Sequence, residues 1–263
     1  MRVRRVFVVL ALVAGAGVIG SAPASAAPGG DPGPSPQANP QATLVRTDIF
    51  QPAPDRSPGR PSPSTANCSA DDPNAYGDTP VLEGFVTSAS SSRVAVFNAA
   101  TVPSPLTADQ VVPALQSAFD TWSTENRRAP AFTVTPQLTG VVTKATANRH
   151  TDVLFGRTPG NALAVTYTWK WSDTGLYESD TVFSDKVPWA IITDDSNGCA
   201  PLHPAYDVQN IATHEFGHIY GLDHPKGDRY ATMYAYGYTG ETLKRTLATS
   251  DSIGITELYT ASP

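Results

Sequence analysis

The chain has 263 residues, 40% of them hydrophobic and 16% charged, with 24 acidic and 18 basic residues for a formal charge of −6. That apolar share is enough for a folded core and excludes wholesale disorder. The acidic balance leaves no electrostatic footprint for nucleic acid or an anionic membrane surface, and two cysteines are too few for a disulfide scaffold or a thiolate metal cluster.

Residues 1–26 read as a secretory signal peptide. Arg2, Arg4 and Arg5 supply the positive start, residues 6–19 the apolar stretch, and Ala24-Ser25-Ala26 a small-residue cleavage site. Gly15, Gly17, Gly20 and Pro23 fragment the second half, which argues against a membrane anchor. The mature protein is therefore expected to be secreted, free of membrane and monomeric.

Residues 27–75 form a Pro-rich, low-complexity pro-segment or linker. Each proline there removes a backbone donor and biases its predecessor away from helix. Such composition buries too little apolar surface to offset chain entropy. Only Leu44-Val45 and Ile49-Phe50 offer side chains that could dock. A solvated tail and a pro-region shielding an active site both stay open, and order is expected to begin near Tyr76.

Residues 76–263 read as one α+β domain with a twisted mixed sheet. Arg93 to Phe97 is a short β-branched and aromatic strand. Thr107 and Gln110 form a capping box. Behind them Val111, Val112, Leu115, Ala118, Phe119 and Trp122 make one helical apolar stripe. Pro113 predicts a kink or a later start. Strands follow at residues 132–134, 153–155, 163–169 and 181–183, with Leu163, Val165, Tyr167 and Trp169 alternating against Ala and Thr. A helix through His214 comes next, and a last helix ends near Tyr259.

The chemistry lies in residues 214–224, HEFGHIYGLDH, which hold three of the five histidines. His214 and His218 are four apart, so a helix sets both imidazoles on one face, a turn apart, where both can bind one metal ion. Asp207 is placed to cap that helix. Gly221 tolerates positive φ and can end it, so the chain can fold back and bring His224 to the same ion. Three neutral nitrogen ligands suit zinc, and three protein ligands leave a fourth position to water, the mark of a catalytic site. Glu215 follows the first ligand and should point beside the metal, where its carboxylate can act as general base.

This constellation resembles the metzincin metallopeptidases. The resemblance implies a methionine turn beneath the metal, and Met233 stands in the right place within Ala231-Thr232-Met233-Tyr234. Within that clan the best resemblance is to matrixins of the secreted bacterial kind. Gly-Leu-Asp-His at 221–224 looks like the matrixin form of the motif, and residues 106–122, 178–189 and 247–259 are similar to the flanking helix, strand-loop and closing helix. The expected fold is a metzincin-like catalytic domain with an edge strand over the cleft, an active-site helix and a C-terminal helix. Substrate is expected to lie along Leu163, Ala164 and Val165, with Asn210 and Tyr234 lining the pocket. The departures are Pro225, where matrixins usually have Ser, and Tyr234-Ala235, where they commonly show Tyr-Pro.

Cys68 and Cys199 in an exported chain most simply pair as a disulfide. The rival is a latency switch with the Cys68 thiolate on the metal, but the surrounding Ala66-Asn67-Cys68-Ser69 lacks the Pro-Arg-Cys-Gly form that animal matrixins use. His150, Asp152 and His203 read as structural or surface residues. Asp180, Asp185, Asp194 and Asp195 could hold calcium, although no loop signature supports it. The expected function is a secreted zinc endopeptidase acting on protein or peptide substrates with one catalytic zinc ion. The alternative is an exported zinc-binding protein without peptidase activity, acting as a binding module.

Overall fold

The computed structural model describes residues 34–53, 79–87, 93–200, 202–226 and 228–260. The expected signal peptide, residues 1–26, and Cys68 lie outside the described residues.

Among the described residues eleven strands and three α-helices follow in chain order: β1 (Ala42–Pro52), β2 (Val81–Leu82), β3 (Arg93–Asn98), α1 (Ala108–Glu125), β4 (Phe132–Gln137), β5 (Thr151–Gly156), β6 (Ala164–Trp171), β7 (Tyr177–Ser184), β8 (Trp189–Ala190), β9 (Tyr206–Asp207), α2 (Val208–Tyr220), β10 (Leu222–Asp223), β11 (Tyr236–Gly237) and α3 (Thr249–Thr260). Seven of the strands make one mixed sheet in the order β11-β1-β6-β7-β5-β3-β4. β4, β3, β5 and β7 run parallel, as crossovers through α1 and the long loops require, and β6 returns antiparallel to β7.

The described part begins well before Tyr76, which corrects the sequence reading. Residues 42–52 are a strand, with Asp48 at 4% and Phe50 at 0% exposure. Proline content misleads here because the prolines of residues 27–66 spare this stretch until Pro52. An unbroken run of backbone donors is enough to join a sheet edge.

α1 begins directly after Thr107, whose backbone N–H donates to Gln110 Oε1 at 3.0 Å. It runs through Pro113 without the delayed start that the proline suggested. Its stripe, from Val111 to Trp122, packs on α2: the Phe119 and Phe216 rings stack with centroids 3.7 Å apart, and Trp122 Nε1 donates to the Thr213 carbonyl at 2.8 Å. These helices cover one sheet face. On the other face Leu154, Val165, Tyr167, Trp169, Trp171 and Val182 form a second core closed by Ala145 and Ala147. The alternation read in residues 163–169 therefore separates two buried faces rather than a buried face from a wet one. Among the described residues no helix is long and apolar enough to cross a membrane.

Candidate active site

α2 presents the motif because both its ends are fixed locally. At the start, Asp207 Oδ1 accepts from the Asn210 backbone N–H at 2.8 Å, and the same carboxylate is held by Arg245 at 2.6 Å. At the end, Gly221 takes φ 105°, a left-handed conformation that glycine adopts without strain. The chain reverses there, and β10 carries it to His224.

The three imidazoles converge. His214 Nε2 lies 3.1 Å from His224 Nε2 and 3.3 Å from His218 Nε2, and the third side of the triangle is 3.0 Å. His214 Nδ1 sits 2.6 Å from the Thr232 carbonyl, and His218 Nδ1 sits 2.8 Å from the Leu222 carbonyl. A carbonyl oxygen only accepts, so each Nδ1 carries the proton and each Nε2 turns a lone pair inward. Two inward lone pairs and the third ring nitrogen, gathered this closely, make a ready site for a cation. A tetrahedral zinc ion with bonds of about 2.0–2.1 Å sets nitrogen–nitrogen edges of about 3.3–3.4 Å, close to those seen. The donor set thus fits zinc.

Burial, and then the neighbouring imidazoles, hold His214 and His224 well below the ordinary imidazole range, which keeps them neutral. For His218 burial lowers the pKa, but the carboxylates of Asp48 and Glu83 outweigh it and raise it overall. Glu83 Oε1 lies 3.0 Å from His218 Nδ1. A second ligand-like cluster, Asp48, Glu83 and His218, adjoins the first. Among the described residues these two groups are the ones whose donor atoms converge as metal ligands would.

Glu215 is fully buried beside this triangle. Its Oε2 accepts from Thr166 Oγ1 of β6 at 2.5 Å, while Oε1 is buried without a hydrogen-bond partner. Burial raises its pKa to about 7, opposed by His218 and by Thr166. Met233 is 1% exposed and packs against α2 at Gly217, where an added Cβ would run into Met233 Sδ.

The remaining predicted positions have other neighbours. The Leu163 backbone N–H donates to the Phe50 carbonyl at 2.8 Å; Ala164 pairs with Phe50 and Val165 with Ile49. The outer edge of β6 is thus covered by β1. Asn210 is 0% exposed, with Oδ1 accepting from the Lys244 backbone N–H and Nδ2 donating to Glu241 Oε2, so its amide braces the loop after β11. Tyr234 is half-buried against Tyr236. Cys199 is buried, and its predicted pairing with Cys68 lies outside the described residues. His150 is exposed, and His203 Nδ1 accepts from the Ala205 N–H. Of the calcium candidates, Asp180 is fully buried and accepts from the Thr146 and Asp152 N–H groups, whereas Asp185 and Asp194 are exposed. Thr166 and Glu83 carry no sequence signal for their places at the site, and Phe50 stands out in the sequence only as a side chain able to dock; each arrives from a distant element.

The matrixin family model matches residues 91–260, which spans the triangle, Glu215 and the Met233 turn. The chain belongs to the matrixin family. This matrixin is also 39% identical to Metalloendoproteinase 1 of Glycine max over 64 residues, which is 24% of this chain and 20% of that protein. It is 33% identical to Metalloendoproteinase 1-MMP of Arabidopsis thaliana over 86 residues, 33% of this chain and 22% of that one. The aligned part of the matrixin thus spans about a fifth of the length of these relatives. β1 and β2 lie before the first residue that the family model matches.

Proposed function

We propose that this matrixin is a secreted zinc-dependent endopeptidase in which Glu215 activates the attacking water. The observation that carries the reading is the triangle of His214, His218 and His224 Nε2 atoms beside a buried carboxylate oxygen, Glu215 Oε1, that has no other partner. His214, His218 and His224 would hold one zinc ion. Bound there, zinc supplies Lewis acidity, making water acidic near neutral pH and polarising a peptide carbonyl.

The chain's own groups do the rest. The Thr232 and Leu222 carbonyls hold two rings in the orientation that aims Nε2 inward. Thr166 pins Glu215 Oε2 and leaves Oε1 to take a proton from water and pass it to the departing amine. Met233 fills the floor against Gly217. The leader-like composition of residues 1–26 supports the secreted reading, and a Cys68–Cys199 disulfide would suit that compartment.

Changing Glu215→Ala tests the assignment. Zinc content should stay near one per chain while peptide cleavage drops by ~10²–10⁴-fold. Unchanged cleavage would refute the role of Glu215, and a parent protein that holds zinc but cleaves nothing would favour the binding-module alternative.

A further inference from the structure

A carboxylate reaches His218 from behind the metal-binding triangle. The Nδ1 atom of His218 faces two acceptors, the Leu222 carbonyl at 2.8 Å and Glu83 Oε1 at 3.0 Å. His214, by contrast, rests its Nδ1 on the neutral Thr232 carbonyl at 2.6 Å. A ring nitrogen between two acceptors donates, so the Nδ1 proton of His218 is shared between them and Nε2 keeps its lone pair for the metal side.

The backbone fixes Glu83 in this place. Leu82 pairs with Leu222 and Val81 with Asp223 across β2 and β10, and the Glu83 N–H donates to the Gly221 carbonyl at 2.9 Å. The turn that brings His224 to the triangle therefore also seats Glu83 against His218. Both side chains are 0% exposed, and Glu83 Oε2 has no hydrogen-bond partner. The Arg46 guanidinium stands 3.6 Å from Oε2, 2.6 Å from Asp48 and 2.9 Å from Asp223. One guanidinium among three carboxylates leaves an excess of negative charge behind His218. Buried charge of that kind is costly unless a cation lies near, and the triangle of Nε2 atoms on the other side of the ring offers a place for one. Asp48, Glu83 and His218 do not themselves make a second metal site, because the His218 atom among them is the protonated Nδ1 and Arg46 already pairs with both carboxylates.

We infer that Glu83 is a positioning residue for the metal site, whose charge, acting through the His218 ring, strengthens the grip of Nε2 on zinc and holds that ring in its orientation. A carboxylate that accepts from Nδ1–H draws the proton toward itself and makes the opposite nitrogen a better donor. Burial keeps water from screening the effect. The inference rests on the zinc-peptidase reading, and Glu83 lies before residue 91, where the match to the matrixin model begins.

The test uses the full chain and zinc itself. Glu83→Gln keeps the shape and an acceptor oxygen but removes the charge, whereas Glu83→Ala removes both. Competition against a chelator should show zinc held about 10–100-fold more weakly by Glu83→Gln, nearly as weakly as by Glu83→Ala. The absorption bands of the cobalt(II)-loaded protein, which follow the donor strength of the ligands, should shift in Glu83→Gln. A Glu83→Gln variant that binds zinc as tightly as the parent overturns the inference, even where Glu83→Ala is weaker, because shape rather than charge then does the holding. Unchanged cobalt bands beside a weakened affinity overturn it too, since a loosened fold weakens binding without altering donor strength. A second zinc ion on the parent that disappears in Glu83→Gln would put metal on Asp48 and Glu83 themselves and has the same consequence. A parent that takes up no zinc ends the peptidase reading and the inference together. If the parent holds zinc, the variant holds it more weakly and neither cleaves peptide, Glu83 keeps its role and the peptidase reading falls.

Discussion

Thr166 Oγ1 and Glu215 Oε2 share a hydrogen bond of 2.5 Å that joins β6 to α2 at the centre of the site. A carboxylate can only accept, so Thr166 donates, and the Thr181 hydroxyl 2.9 Å away supplies the proton that Thr166 Oγ1 in turn accepts. The sheet thus holds one oxygen of the carboxylate and leaves the other free.

Replacing Thr166→Val removes that donor while keeping the shape. Glu215 would then have two buried oxygens without partners, and its orientation would loosen. Turnover of a peptide substrate should fall by about 10–100-fold with zinc content and KM little changed, because positioning rather than binding is lost. Thr166→Ser should restore most of it. Measuring kcat and KM separately checks this, and a loss confined to KM would argue against a positioning role.

Gly217 lies between the first two histidines of the motif, where α2 meets Met233 and Trp122. A Cβ there would overlap Met233 Sδ and come within 2.8 Å of Trp122 Cζ2. Gly217→Ala should destabilise the domain by ~1–3 kcal/mol, the usual penalty for overpacking, despite the better helix propensity of alanine. A urea titration reads this directly, and a stabilised variant would mean that the methionine floor yields freely.

Asp251 of α3 accepts from three backbone N–H groups, those of Thr232 at 2.7 Å, Ala248 at 3.0 Å and Met233 at 3.2 Å. It therefore shapes the turn whose Thr232 carbonyl orients His214. Asp251→Ala leaves these donors short of a partner, with a penalty of ~1–3 kcal/mol for each one left buried. Both the thermal midpoint and zinc affinity should drop. Competition against a chelator separates the second effect from the first.

Asp152, Glu178 and Asp180 are buried together at β5 and β7, and burial raises the pKa of each above its ordinary value, Asp180 furthest. The repulsion of Asp152 adds to the rise at Asp180. A carboxyl that holds its proton more tightly when folded makes stability fall as pH climbs from its unfolded value toward its folded one. Asp152→Asn removes one charge and eases the other two. The variant should gain stability relative to the parent as pH rises from about 4 to 7, with the difference shrinking at the acid end. Comparing the two urea midpoints cancels the contribution of groups far from Asp152, which behave alike in both proteins.

The helix that carries His214 and His218 was legible because its determinants are short-range. A four-residue spacing on a 3.6-residue repeat, the Asp207 cap and a glycine able to take positive φ together specify where three imidazoles meet. The strands at β3 to β7 were legible for the same reason, each being a local run of β-branched and aromatic residues. By itself, then, the sequence determined the convergence of three imidazoles, the placing of Glu215 and the order of the domain's elements. Tertiary structure alone decided that Thr166 meets Glu215, 49 positions further along the chain, that Glu83 reaches His218, and that residues 42–52 pair along the edge of β6. Strand addition is carried by main-chain hydrogen bonds, which nearly every residue supplies alike, so composition and pattern cannot say which stretch of chain takes an open edge; only the folded sheet does.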